Sequence, residues 1–130
     1  MDQKGLVNYW KLTAEHDYET MLALYKIKRY SDCLFFGHIV LEKALKALVV
    51  SQTGSQAPFT HDLVRLEKLS GAGLSEKDID LLDQINEFNI RTRYPEYKLD
   101  FYKKCTPVYT KKYFEKIQKL YQILWQKIKQ

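Results

Sequence analysis

The stretch that most limits how this chain can fold is Phe35-Phe36-Gly37-His38-Ile39-Val40-Leu41-Glu42-Lys43-Ala44-Leu45-Lys46-Ala47-Leu48-Val49-Val50. Its apolar residues cover most of a helical circumference, and a helix apolar nearly all round belongs inside a bundle. One polar row interrupts it. His38, Glu42 and Lys46 are spaced four residues apart and therefore stack on a single face. Titratable groups on a buried helix are costly unless they pair with one another or serve a site. Glu42 N-terminal to Lys46 is the favourable orientation for such a pair. The row reads first as a structural pairing, and as a support for a site if later segments reach it.

The remaining pattern is helical too. Val7, Trp10, Ala14, Tyr18, Met21 and Tyr25 form one stripe, which predicts an amphipathic first helix. Arg29-Tyr30-Ser31-Asp32 breaks it, with Ser31 as the expected N-cap of the second helix. That helix runs to about Gln52, where Gly54 and Pro58 end it. A short third helix is expected from Thr60 or His61 to Gly71, with Thr60 or Asp62 capping its free amides. Ser75 caps a fourth, whose apolar set includes Ile79, Leu82 and Ile85. Pro95 disfavours helix at Tyr94, so a loop is expected from about Thr92 to Thr106. Pro107 fits the first turn of a last helix, seamed by Phe114, Ile117, Tyr121, Leu124 and Ile128. No strand-like alternation competes. The expected fold is all-α, an up-down four-helix bundle with one additional short helix, and residues 1–130 read as one domain.

Composition narrows the functional classes. At 130 residues, 45% of them apolar, the chain can bury a core of its own. No apolar run approaches the roughly 18 residues of a membrane span, and no signal segment opens the chain, so a cytoplasmic protein is expected. Cys33 and Cys105 match no metal-ligand spacing and read as buried free thiols. The three histidines, His16, His38 and His61, show no helical metal spacing. Glycine-rich phosphate loops and nucleophile elbows are absent. Neither a metal nor a cofactor is expected. Residues 98–130 carry nine lysines against Asp100 and Glu115, a net +7 within a chain of net +5. Such a lysine-rich helix is a solvated face or attracts phosphates and acidic partners.

Two further segments could carry chemistry. His61-Asp62 at a helix start offers a cap together with an imidazole that titrates near neutrality. Arg91 and Arg93 flank a helix end followed by Tyr94-Pro95-Glu96-Tyr97, and arginine suits bidentate contact with carboxylate or phosphate. Tyr94 could stack on a base or close the bundle's end.

Taken in order, Trp10…Ala14…Asp17, Arg29-Tyr30…Phe36, Glu42-Lys43-Ala44-Leu45-Lys46-Ala47, His61-Asp62-Leu63 and Arg91…Arg93-Tyr94-Pro95 resemble the HEPN family, and its Arg-Tyr-Pro branch in particular. That resemblance implies a helical bundle that usually dimerises. Many members stand beside a minimal nucleotidyltransferase in two-component systems of toxin–antitoxin type. Catalytic members are metal-independent ribonucleases with an arginine, four to six residues, then a histidine. Here the histidine positions hold Glu96, Tyr97 and Lys98 after Arg91, and Lys98, Leu99 and Asp100 after Arg93. The arginine half of the motif carries over and the histidine half does not.

The resemblance therefore implies a nucleotide- or RNA-associated binding module, a homodimer and partner of a nucleotidyltransferase. Its ligand residues would be Arg91, Arg93 and Tyr94, with support from His38, Glu42 and Lys46. One alternative is a divergent ribonuclease in which His61, with Arg91 and Arg93, replaces the missing histidine. Another is a purely structural protein-interaction module.

Overall fold

The near-continuous apolar surface of the second helix makes it the centre around which the rest assembles. In the computed structural model, which describes residues 1–128, the helices are α1 (Gln3–Lys26), α2 (Tyr30–Thr53), α3 (Leu63–Ser70), α4 (Glu76–Arg93), α5 (Pro95–Lys104) and α6 (Pro107–Ile128). All five other helices pack on α2. Leu34, Leu41 and Leu45 of α2 are fully buried with Met21, Leu63, Leu66, Leu82, Ile85 and Ile117 from its neighbours.

Side-chain pairs give the topology. Asp17 with Lys43 and Trp10 with Lys46 run α1 antiparallel to α2. Stacked Tyr18–Tyr121 and Tyr25–Phe114 run α1 antiparallel to α6. Tyr113–Gln84 and Phe88–Tyr109 do the same for α4 and α6. The four long helices thus alternate up and down, as the sequence pattern requires. Gly37 leaves room for the Ile117 side chain of α6 against α2, since a Cβ there would lie 2.6 Å from Ile117 Cδ1. Gly54 ends α2 at φ 73° and donates its amide to the Val50 carbonyl at 2.8 Å, a left-handed cap that favours glycine.

Two local expectations are corrected. The segment from Thr92 to Thr106 is not a loop, because Pro95 ends α4 and also begins α5. Tyr94 between them is extended (φ −103°, ψ 125°), as a residue before proline should be. Proline loses nothing at a first helical position, where its missing amide would be unpaired anyway. Burial of Phe101 against Phe88, ring centroids 5.5 Å apart, anchors the ten-residue helix. Ser31 is not the N-cap of α2. Lys28 adopts φ 65° and the Arg29 amide bonds to the Leu24 carbonyl at 2.9 Å. This tight turn brings the chain into helix at Tyr30 and leaves Ser31 inside the first turn. The expected caps do hold at α3, where Asp62 accepts from the amides of Val64 and Arg65, and at α4, where Ser75 accepts from that of Asp78.

Candidate functional site

Burial on α2 decides the geometry of the polar row. His38 is fully buried, and Glu42 and Lys46 nearly so, so each must find partners inside the protein. Glu42 is the hub. One carboxylate oxygen, Oε2, accepts from Lys46 Nζ at 3.0 Å. The other, Oε1, accepts from His61 Nδ1 at 2.8 Å. Lys46 also lies over the Trp10 ring, 5.1 Å from its centroid. The ammonium is therefore held between a carboxylate and an aromatic face.

His38 supports the arrangement from the next turn of α2. Its Nε2 lies 2.9 Å from the His61 carbonyl oxygen. A carbonyl only accepts, so His38 carries its proton on Nε2. Desolvation lowers its pKa from the ordinary 6.5, against the opposing charge of Glu42. It is a neutral ring that fixes the backbone of His61. The approach of α3 is fixed from α4 as well, where Asn86 accepts from the Leu63 amide at 2.9 Å and donates to Asp62 at 3.0 Å.

His61 itself is different. Its side chain is 51% exposed, and its Nε2 makes no hydrogen bond among the described residues. Because Nδ1 donates to Glu42, a neutral ring presents the Nε2 lone pair outward, and a charged ring presents a second N–H there. The geometry is that of an imidazole oriented by a buried carboxylate.

The arginines part company. Two residues on a helix are about 200° apart, and Arg91 turns toward α6. There its charge acts on the Tyr109 hydroxyl, whose pKa burial pushes up to about 12 and Arg91 draws back. Glu87 approaches Arg91 only to 3.8 Å. Arg93 falls on the face of Asn86 and Asn89, is exposed, and has no ion pair among the described residues. Tyr94 is 52% exposed at the α4–α5 corner. Asn89 reaches to 3.5 Å from His38 Nδ1. Arg93 lies one turn beyond that contact, about 10 Å along α4 from Asn86.

The structure thus joins His38, Glu42, Lys46 and His61 into one cluster. It leaves Arg93 and Tyr94 exposed farther along α4, beyond Asn89, and turns Arg91 away. His38, Glu42 and Lys46 are spent on one another, so their reach toward a ligand passes through His61. Asn86, Asn89 and the Asp17–Lys43 pair at 2.6 Å were not assigned roles from sequence. Asn86 carried a faint signal, a polar residue one position past Ile85 in the apolar pattern of α4. The five positions from Glu96 to Asp100 are all exposed on α5, and none offers an imidazole. Among the described residues no three His, Cys, Asp or Glu side chains gather as a metal site, and no helix is long and apolar enough to cross a membrane.

Comparison with known proteins agrees with this architecture. The chain is similar in fold to TT1696 from Thermus thermophilus, known from its crystal structure. The TM-score is 0.78 at 18% identity, over 98% of this chain and 99% of that one. No curated protein matches. A family model described as HEPN domain matches residues 7–130. With nearly its whole length covered by that match, the chain belongs to the HEPN domain family.

Proposed function

We propose that this chain is a nucleotide- or RNA-associated binding module whose ligand spans from His61 to Arg93, along the side of α4 that carries Asn86 and Asn89. The observation that carries the reading is the state of His61. Buried Glu42 holds one ring nitrogen and leaves the other facing outward with no protein partner among the described residues. A buried carboxylate spent on orienting an exposed imidazole supports a role for that imidazole toward a ligand. At the other end, Arg93 offers a free guanidinium fork for phosphate oxygens. Tyr94, beside it and half exposed, offers a ring on which a base can stack. Family membership supports the same ligand class. It also supports a homodimer and a minimal nucleotidyltransferase as partner in a two-component system.

The test is binding of fluorescently labelled single-stranded RNA by wild type and by the Arg91→Gln/Arg93→Gln double variant. Affinity should fall about tenfold or more in the variant, as expected when a hydrogen bond to a charged group is lost. Unchanged affinity in the folded variant would overturn the site.

The Glu42–His61 pair also favours a second reading, metal-independent RNA cleavage with His61 moving the proton. Incubation of RNA with the protein in the presence of a chelator decides it. Cleavage that His61→Gln abolishes while its unfolding curve is unchanged establishes the ribonuclease. Intact RNA rejects it and leaves binding.

A further inference from the structure

The charged residues are not spread evenly along the bundle. Residues 26–32 and 87–112, which meet at one end, carry ten Lys and Arg against four Asp and Glu. That end comprises the close of α1, the start of α2, the close of α4, α5 and the start of α6. A net +6 concentrated there within a chain of net +5 leaves the rest close to neutral. The field at this end favours anions.

A pocket of about 300 Å³ opens in it, lined by Lys28, Arg29, Ser31, Asp32, Tyr102 and the start of α2 at Tyr30. Three features of the pocket point to the same ligand. First, the N-cap Arg29 makes no side-chain capping bond, and the first intrahelical amide bond of α2 is from Cys33 to the Arg29 carbonyl. The amides of Tyr30, Ser31 and Asp32 therefore have no partner among the described residues and stand at the positive end of a 24-residue helix, where such groups favour anions. Second, Ser31 is nine-tenths buried, yet its hydroxyl has no protein partner among the described residues and is not sealed from accessible space. A hydroxyl that opens into the pocket and bonds nothing else in the protein is free to donate to and accept from a ligand entering there. Third, Arg29 and Lys28 supply charge at the rim. The carboxylate in the lining, Asp32, is engaged by Arg29 Nε at 3.3 Å, which turns its charge toward the guanidinium.

We propose that this pocket is a phosphate-binding site. Its first-turn amides and the Ser31 hydroxyl bond the phosphate oxygens, with Arg29 and Lys28 neutralising the charge. The ligand is a phosphate ester, either the terminal group of a nucleotide or an internal phosphate of a strand. The pocket's lining includes neither His61 nor Arg93, and the site stands whether or not those residues bind RNA.

Amide chemical shifts of the full chain, followed through titrations with inorganic phosphate, adenosine monophosphate and an end-blocked oligoribonucleotide, test the proposal. Sodium chloride of matched ionic strength is the control. Saturable shifts at Tyr30, Ser31 and Asp32 with phosphate, absent in chloride, are expected. Ser31→Ala should weaken phosphate about tenfold. That change removes no protein hydrogen bond and places a better helix former in the first turn, so the fold is kept. Arg29→Gln should weaken it further, whereas Arg93→Gln should leave phosphate binding here unchanged. A preference for the monophosphate identifies a terminal group, and a preference for the blocked strand identifies an internal one. Shifts that match the chloride control, or phosphate affinity that Ser31→Ala and Arg29→Gln leave unaltered, would overturn the site. Loss of RNA binding in Arg93→Gln alone, with these shifts intact, would bear on the His61–Arg93 reading and not on this pocket.

Discussion

The His61 end and the Arg93 end of the proposed site are built on opposite terms. At the His61 end, Glu42 serves Lys46 with one oxygen and His61 with the other, and His38 braces the backbone between them. Every buried charge there is answered by another protein group. At the Arg93 end the side chains stand in solvent, and the described residues provide Arg93 with no counter-ion. The first end is what the fold needs in order to bury α2. The second is what the fold can do without, so a role for it must come from outside the molecule. His61 belongs to both, held by the interior and presented to the exterior.

Unequal dependence on the fold is the sharpest consequence. Glu42→Ala would leave the Lys46 ammonium, only 9% exposed, without its carboxylate. Breaking a buried pair from one side costs about 3 kcal/mol, which urea unfolding should register as a lowered midpoint. Arg93→Gln should stay within about 0.5 kcal/mol of wild type, as surface changes do. Equal losses in the two variants would erase the distinction between the ends.

Acid should reveal the same asymmetry more gently. Burial holds the His38 pKa below its ordinary 6.5, while the unfolded chain takes up the proton near that ordinary value. Between the two pKa values the unfolded state binds more protons. The stability contributed by the neutral ring is thus complete above about pH 6.5 and is lost as pH falls toward the depressed value. The slope this one group adds is at most about 1.4 kcal/mol per pH unit. Melting temperatures of wild type and His38→Gln between pH 7.5 and 5 should converge as pH falls. Parallel curves would show that His38 is not the group that resists protonation.

How much of this could be read from the sequence follows from the range of each interaction. The i,i+4 row on α2 was legible because helical spacing alone places His38, Glu42 and Lys46 on one face. The caps at Asp62 and Ser75 were legible for the same reason, since donors and acceptor lie within three residues. The arrival of His61 at Glu42 was not. It depends on how a nine-residue connection from Gly54 to Asp62 folds back, and on Asn86 of α4 holding the start of α3. Nor was the divergence of Arg91 and Arg93, which rests on the rotational setting of α4 against α6. Pro95 misled in another way: one residue can stop a helix and start the next, and only burial of Phe101 shows which happened. Ser31 was legible as a helix-start residue but not as one left unpartnered, because the left-handed Lys28 moved the start by two residues.

The smallest effect separates the two arginines. Arg91 approaches Glu87 at 3.8 Å, an i,i+4 pair with both side chains at least a third exposed, and such pairs contribute only a few tenths of a kcal/mol. Arg91→Gln should therefore shift the unfolding midpoint barely, and Arg93→Gln not at all. The informative quantity is the ratio of their RNA affinities. If the ligand spans from His61 to Arg93, Arg93→Gln weakens binding about tenfold, while substitution of Arg91, which faces α6 and Tyr109, weakens it by much less. The reverse order would move the binding face from the Asn86–Arg93 side of α4 to the α4–α6 side of the bundle. It would then make His61 a structural residue held by Glu42 for the sake of α3 alone.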